Sequence, residues 1–327
     1  MTAVGLTIRA HRFEFAALGL LTAAGLGGPA LVLARLMTFG IPASCFIAGP
    51  AVGSCIGLDP QIAAYLDFAG FWGALGHAAV LVLAVLPSLV LGMALAAKEI
   101  DRGTTAFAWS LTTSRRRWFL VRVGPAAVAI VAVGLVGGAM ADQIQRLRDP
   151  LVDPMRTFQQ LGLRGIVVPS LALAVFGLTL AAGATLGRIL PTLLVGAALA
   201  LGAVVAVNLA SEAMLHTETV VWMPANGDQG LPGQVDWRTV DYEVMTPEGE
   251  IITQSEAYAR YGNALYFGEE VPPGADLPPG AVLVRSVIFA NPGDLYPFVA
   301  ARMAVLYGAT GLVSIVLAFA VIDRRRP

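Results

Sequence analysis

Charged residues are scarce in this 327-residue sequence: only 13% of the chain is Asp, Glu, Lys or Arg, against roughly a quarter in a soluble globular domain. Apolar residues make up 57% of it, and the mean hydropathy is +0.73. This composition excludes an ordinary soluble protein and predicts an integral membrane protein. The net charge of -1 gives no indication of nucleic-acid binding, and no nucleic-acid partner is expected.

Motifs for nucleotide hydrolysis and for common enzyme chemistry are also missing. The sequence has no GxxxxGK[ST], and its one lysine, Lys98, follows two alanines, which excludes a P-loop ATPase. HExxH, CxxC and GxSxG are absent too. His11, His77 and His216 lie far apart, so no catalytic residue is predicted and the chain is not expected to be an enzyme. His77, inside an apolar run, is either a relay or substrate contact or, more simply, a neutral histidine near one interface.

Long uncharged runs take up most of the chain. Each contains about twenty residues or more, enough for an α-helix to cross a hydrocarbon core of about 30 Å. The sequence therefore predicts six transmembrane helices, at Phe15–Ala34, Phe68–Ala97, Val123–Ala141, Gly165–Gly187, Ile189–Ser211 and Met303–Ile322. Residues 1–14 mix apolar side chains with basic ones, a pattern typical of a cytoplasmic interfacial helix. A disordered basic leader is the alternative for that segment.

The fourth and fifth runs are separated only by Arg188. A single helix over residues 165–211 would be about 70 Å long, more than twice the bilayer core. The two runs must therefore form a hairpin with Arg188 at its tip. The overlong second run contains Pro87, which predicts a kink. The many Gly and Ala residues of the third to fifth runs predict close helix packing.

Six spans place both termini on the same side of the membrane. That side carries twelve basic residues in short segments: the N-terminal segment, residues 98–122, Arg188 and the C-terminal arginines 324–326. By the positive-inside rule it is cytoplasmic, and the expected location is the plasma membrane. Residues 142–164 carry four arginines on the opposite side, which counts against this orientation.

Cys45 and Cys55 are the only cysteines, and this orientation places them outside, between the first two spans. Two cysteines ten positions apart in an oxidising compartment predict a disulfide, with two unlinked thiols as the alternative. Two cysteines are too few for a tetrahedral zinc site. No metal or other cofactor is predicted in this chain.

Residues 212–297 differ from the rest of the chain, with thirteen acidic residues against three arginines and most of the tight-turn sequences. Thr239–Thr246 and Glu250–Thr253 flank the turn Pro247–Gly249, which predicts a β-hairpin, and Ala281–Ala290 is predicted as a further strand. The predicted fold is therefore an all-α polytopic membrane protein with six transmembrane helices. A small extracytoplasmic α+β domain lies between helices 5 and 6, and residues 298–327 hold the sixth helix and a basic tail.

Residues 98–122, which interrupt the 15–211 membrane region, form a basic segment with the sequence KEIDRGTTAFAWSLTTSRRRWFLVR. This segment resembles the E-x-x-x-G-T...T-x-x-R-x-x-W pattern that follows the second span of ABC-2 type transporter permeases, in particular an actinobacterial-like subgroup. Asp149-Pro150, the Gly183–Gly187 end with Arg188, and Tyr296-Pro-Phe298 also resemble that subgroup. The resemblance covers nearly the whole chain.

The resemblance implies that residues 98–122 are a coupling helix, which lies in a groove of a separate ATPase subunit. The implied contacts with that subunit are Glu99, Asp101 and Arg102, the turn or cap residues Gly103 and Thr104, and the triplet Arg115, Arg116 and Arg117. The triplet would face the ATPase or lipid headgroups, and a topogenic anchor without partner contacts is its alternative.

The resemblance also implies an exporter with two ATPase copies and a second permease chain, as a homodimer or a heterodimer. ATP and Mg²⁺ would bind to the ATPase and not to this chain. The apolar spans permit a lipid-like or amphipathic small molecule, but the sequence does not identify the substrate. The alternative function is a non-transporting membrane scaffold or sensor that presents the extracytoplasmic domain. An ATPase subunit that co-purifies with the chain would favour the permease.

Overall fold

The computed structural model describes residues 12–42, 44–48, 55, 57–101, 114–150, 152–222, 237–267 and 278–324. It divides into two compact units. The first comprises Met1–Leu151, Gln160–Ala210 and Ala300–Pro327, and the second Val152–Gln159 and Ser211–Val299. Most of the predicted interfacial helix, residues 1–11, lies outside the described residues.

Helices dominate the first unit. Among the described residues, six helices are long and apolar enough to cross a membrane, which confirms the predicted spans in number and order. They are α1 (Arg12–Thr38), α3 (Asp59–Asp101), α4 (Arg115–Arg148), α5 (Val167–Leu186), α6 (Ile189–Thr217) and α8 (Tyr296–Arg324), and a short helix α2 (Ser44–Ala48) follows α1. Most of them extend beyond the predicted runs, because polar residues at a span end can remain helical in water.

The central helix of the first unit is α5. About 78% of its membrane-spanning window is buried inside the protein, compared with 17% for α1 and α6. A Cβ atom on Gly177 would lie 2.4 Å from the carbonyl oxygen of Gly311 in α8. One on Gly92 of α3 would lie 2.8 Å from the carbonyl oxygen of Phe176. These backbone contacts confirm the close packing that the Gly and Ala content predicts.

A tight turn joins α5 to α6. Gly187 has a φ of 65°, in the left-handed region that glycine adopts without steric cost, and its N–H donates to the Gly183 carbonyl at 3.0 Å. Arg188 is exposed, and α6 begins at Ile189. The structure therefore confirms the predicted hairpin with Arg188 at its tip.

The longest helix is α3. Its 43 residues extend over about 65 Å, roughly twice the thickness of a bilayer core. Pro87 lies inside this one helix, and the neighbouring Ser88 hydroxyl donates to the Ala84 carbonyl at 2.6 Å. A kink at Pro87 stays a prediction. The extra length of α3 must project from the bilayer or cross it at a tilt.

Cys45 and Cys55 are joined by a disulfide, as predicted, with a sulfur–sulfur distance of 2.07 Å. Both residues are buried.

An aromatic cluster lies close to the disulfide along the chain, with Phe46 and Phe39 against the ring of Tyr65 at centroid distances of 5.2 and 5.4 Å. The Tyr65 hydroxyl donates to the Leu147 carbonyl of α4. Hydrogen bonding and ring packing thus hold α1, α3 and α4 together at this end.

A small sheet forms the centre of the second unit. Its strands are β1 (Val220–Trp222), β2 (Trp237–Met245), β3 (Ile251–Thr253), β4 (Leu265–Phe267) and β5 (Val282–Pro292), in the order β1-β5-β2-β3 with β4 also on β5. β2 and β3 are antiparallel, with Glu243 opposite Thr253, so the predicted hairpin is confirmed. The predicted strand Ala281–Ala290 corresponds to β5, which pairs with β1, β2 and β4.

One buried cluster lies among the described residues of the second unit. It comprises Val244 of β2, Ile252 of β3, Val284 of β5 and Ala257 of the short helix α7 (Gln254–Tyr261), with partly buried hydrophobic side chains packed against them. The Thr253 hydroxyl caps α7 by accepting the N–H of Glu256 at 3.2 Å. Two exposed ion pairs, Arg260 with Glu250 and Arg156 with Asp294, lie on the surface of this unit. Exposed pairs of this kind contribute little to stability.

Candidate functional site

The predicted coupling segment begins as the last turn of α3. The residues before it, Leu95 to Ala97, are buried, Lys98 is half-buried, and Asp101 at the end of the helix is exposed. Glu99 lies in the same turn. A lysine in the last turn interacts favourably with the helix macrodipole. The start of the segment is therefore a rigid extension of a spanning helix.

Arg102, Gly103 and Thr104 lie in the stretch 102–113, outside the described residues. Their assigned contacts with an ATPase stay predictions. The same applies to the turn or cap assigned to Gly103 and Thr104.

The other end of the segment begins at the N-cap of α4. Ser114 has an extended backbone, with φ -160° and ψ 130°, and its hydroxyl accepts the N–H of Arg117 at 3.1 Å. Arg115 is the first residue of the helix, and Arg116 and Arg117 are exposed. The structure thus places the predicted arginine triplet in the first turn of α4.

Two buried aromatic side chains follow the triplet directly. Trp118 is 7% exposed and Phe119 3% exposed. The guanidinium carbon of Arg122 lies 4.8 Å from the Trp118 ring centroid. The ring of Phe119 meets that of Phe319 in α8 at a centroid distance of 5.4 Å and an angle of 61°. The exposed arginines are therefore carried by a turn that is anchored in the helix bundle.

Small residues join α3 to α5 near the same end of the bundle. A Cβ atom on Gly183 would lie 3.2 Å from both the Ala96 Cβ and the Ala97 nitrogen. Thr192, in the first turn of α6, packs at a similar distance of 3.3 Å. Side chains this small let the two helix backbones approach closely. The turn of α3 directly before Lys98 is therefore in contact with the central helix.

A buried polar group lies at the opposite end of the bundle. Arg164 is fully buried, and its Nη1 lies 3.8 Å from Oδ1 of Asp142 in α4. His77 of α3 is fully buried as well, with Nδ1 2.8 Å from the Gly73 carbonyl. The sequence places Arg164 in a loop, so its burial is a finding that charge patterns did not indicate. The only sequence feature that could have suggested this burial is the position of Arg164 next to the start of a span.

Beside this ion pair, the backbone of α4 touches Gly165, two residues before α5 begins. The N–H of Gly165, which has a φ of +58°, donates to the Gly138 carbonyl at 3.2 Å. A Cβ atom on Gly138 would lie 2.2 Å from the Gly165 oxygen, closer than any real side chain allows. Glycine is therefore required at Gly138 by the contact and favoured at Gly165 by its φ.

Glu248 and Arg260, two exposed residues in the described part of the second unit, have shifted pKa values. The Thr246 hydroxyl hydrogen-bonds the Glu248 carboxylate, which lowers the pKa of Glu248. The Glu250 carboxylate accepts a 2.6 Å hydrogen bond from Arg260 and raises the pKa of that guanidinium. Both charged groups are exposed, and these contacts help to order the hairpin and α7.

The comparisons with known proteins concern mainly the membrane region. A profile of the family described as ABC-2 membrane transporter related matches residues 26–215. The match includes α3, α4 and α5 together with the whole segment between α3 and α4. No curated protein and no solved structure matches the chain.

Proposed function

The chain belongs to the ABC-2 membrane transporter related family, and from this premise we propose that it is the permease subunit of an ATP-driven ABC-2 type exporter. The exporter moves a lipid-like or amphipathic small molecule across the plasma membrane. ATP and Mg²⁺ bind to a separate ABC ATPase, and this chain hydrolyses no ATP itself. Two ATPase copies and a second permease chain, identical or related, complete the transporter.

The observation that carries this proposal is the arginine triplet at the start of α4. A helix N-terminus bears a partial positive charge, so each cation in the first turn is disfavoured by roughly 0.3–1 kcal/mol. An anionic partner near these three successive arginines would offset that cost. An acidic surface on the ATPase or a layer of anionic headgroups supplies one. Trp118 and Phe119 hold the turn in place for such a contact.

Both termini are proposed to be cytoplasmic, together with residues 98–122 and Arg188. Residues 142–164 oppose this orientation through their four arginines, since nearby acidic residues do little to cancel basic ones under the positive-inside rule. The twelve basic residues on the other side, all in short segments, outweigh these four and support the orientation. The grouping of Val152–Gln159 with Ser211–Val299 also supports the placement of both segments on one side, which is proposed to be extracytoplasmic.

The test is to purify the tagged chain from its own host and to identify what co-purifies. We expect an ABC ATPase subunit, and we expect ATP hydrolysis only when that subunit is present. A variant of the ATPase without its P-loop lysine should bind the chain and hydrolyse nothing. Robust ATP turnover by this chain alone would contradict the proposal. A chain with no ATPase partner and no ATP-linked activity would favour the scaffold or sensor.

A further inference from the structure

We propose that Phe119 and Phe319 form the contact through which movement of the coupling segment reaches α8. This inference rests on the proposed function, since it assumes that an ATPase displaces residues 98–122. Phe119 and Phe319 are positioning residues in this account. Neither is assigned a contact with ATP, with the ATPase or with the transported molecule.

The first step is the rigid connection between the arginine triplet and Phe119. Ser114 caps the helix, and from Arg115 onward the chain is continuous α-helix. Phe119 is only two residues after Arg117, so one helical turn contains both the exposed cations and the buried ring. A displacement of the triplet therefore moves the Phe119 side chain by the same amount.

The second step is the packing of Phe119 against α8. The two rings meet edge to face, and Phe119 is 3% exposed. Ala318 and Ile322, on either side of Phe319 in α8, are buried as well. Leu120 and Leu317, the adjacent exposed residues, point away from this packing. Close-packed interiors are hardly compressible, so a shift of the Phe119 ring must be followed by α8.

The third step is the fixed point of α8. At Gly311 the helix touches the backbone of α5, where a Cβ atom would lie 2.7 Å from both the carbonyl carbon and the oxygen of Leu173. Phe319 lies eight residues further along the same helix, or about 12 Å at 1.5 Å per residue. A push at Phe319 therefore tilts the end of α8 about Gly311.

The two ends of the coupling segment thus act on different helices. The turn of α3 just before the coupling segment packs on α5, where a Cβ atom on Gly183 would lie only 3.2 Å from the Ala96 Cβ. The first turn of α4 packs on α8 through two large rings. Since α5 is the central helix of the unit, we expect α5 to stay in place and the end of α8 that carries Phe319 to move. Loss of the Phe119 ring should leave the ATPase contact intact and remove only this movement.

The experiment measures the movement directly and needs no knowledge of the substrate. The two native cysteines are bonded to each other, so spin labels can be attached selectively at Leu317→Cys in α8 and Leu190→Cys in α6. Both leucines are exposed, at 55% and 65%. Distances between the labels are measured by pulsed electron spin resonance in nanodiscs. The complex with its co-purifying ATPase is compared without nucleotide and after trapping with ATP and vanadate.

We expect a nucleotide-dependent shift in the labelled parent complex and loss of most of that shift in Phe119→Ala. Phe319→Ala should have the same effect, and the double variant should be no worse than either single one, because both remove one contact. Phe119→Leu should restore part of the shift. Leu120→Ala, which removes an exposed neighbour, should leave it unchanged. ATPase binding and ATP turnover should persist in every variant.

Each contrary result has a distinct meaning. Size-exclusion chromatography shows whether Phe119→Ala folds. If it does not, Phe319→Ala tests the contact from the other helix, and Phe119→Leu tests it with a smaller change. A parental shift that survives in these variants overturns the inference while the permease function stands. A parental complex whose α8 does not move on nucleotide trapping also overturns it. Absence of any ATPase partner overturns the proposed function and this inference with it.

Discussion

Arg164 and Asp142 form an ion pair in which the guanidinium is completely buried and the carboxylate is 30% exposed, with 3.8 Å between Nη1 and Oδ1. The pair joins α4 to Arg164, the residue before Gly165, and the Gly165 backbone contacts Gly138 of α4. Burial of a charge costs several kcal/mol unless a partner compensates it. The Asp142 carboxylate therefore offsets part of the cost of burying the Arg164 guanidinium.

Asp142→Asn should destabilise the protein by about 3–5 kcal/mol, because it leaves the Arg164 charge buried without its carboxylate. The matched control is Arg156→Gln, which breaks the exposed pair with Asp294 and should cost no more than about 1 kcal/mol. Denaturant unfolding of both variants in detergent micelles gives the comparison. Equal effects of the two substitutions would show that Arg164 does not depend on Asp142.

Gly138→Ala should destabilise the helix bundle by about 1–3 kcal/mol, since the added methyl group would meet the Gly165 carbonyl oxygen at 2.2 Å. Backbone atoms cannot move aside as a flexible side chain would. Gly202→Ala in α6 is the control, because no atom lies within 4 Å of its added Cβ. Its stability should be unchanged or slightly raised. Thermal unfolding in the same detergent distinguishes the two, and a stable Gly138→Ala protein would refute the contact.

The Cys45–Cys55 disulfide should contribute about 2–3 kcal/mol, the entropy that a closed loop of about ten residues removes from the unfolded chain. Both cysteines are buried, so a phosphine reductant should react slowly with native protein and fast after denaturation. Mass spectrometry without reduction reports the bond, and unfolding of Cys45→Ser with Cys55→Ser reports its energy. Two free thiols in protein isolated without reductant would contradict the prediction.

Much of the fold follows from local features of the sequence. Hydrophobic length alone predicts the six helices, and the same length argument requires the turn at Arg188. The β2–β3 hairpin follows from alternation around Pro247–Gly249. Each of these signals lies within a short window, so no knowledge of distant contacts is needed.

Other features depend on residues that are far apart in the chain. The sequence around Arg164 predicts an ordinary loop arginine, and only the packed structure shows that this residue is buried. The contact between Phe119 and Phe319 joins residues two hundred positions apart. The grouping of Val152–Gln159 with Ser211–Val299 is of the same kind. Such contacts have no local pattern of hydrophobicity or turn residues that could predict them.

Glu99→Ala should weaken assembly with the ATPase, or nucleotide-driven transport, by one to two orders of magnitude. A charge-assisted hydrogen bond is worth roughly 1.5–3 kcal/mol, and about 1.4 kcal/mol corresponds to a factor of ten. Asp67→Ala is the control, since Asp67 is an exposed carboxylate near the other end of the same helix. Stability of the isolated chain should change by less than about 0.5 kcal/mol in both variants.

Binding to the immobilised ATPase and coupled ATP turnover provide the measurements for Glu99→Ala. Normal affinity and normal turnover in this variant would show that Glu99 is not the contact. The triplet Arg115–Arg117 would then be the next segment to test, one arginine at a time.

The central position of α5 has a consequence for how the chain folds during synthesis. Helices α1, α3 and α4 enter the membrane first, yet α3 and α4 are shaped to receive α5 at Gly92 and Gly134. Until α5 emerges, those glycine surfaces have only lipid against them, so the first three spans form a provisional assembly. The arrival of α5, followed at once by α6 through the turn at Arg188, closes this assembly. We therefore expect chains truncated before Gly165 to be short-lived and exposed to membrane proteases, and chains that extend past Ser211 to persist.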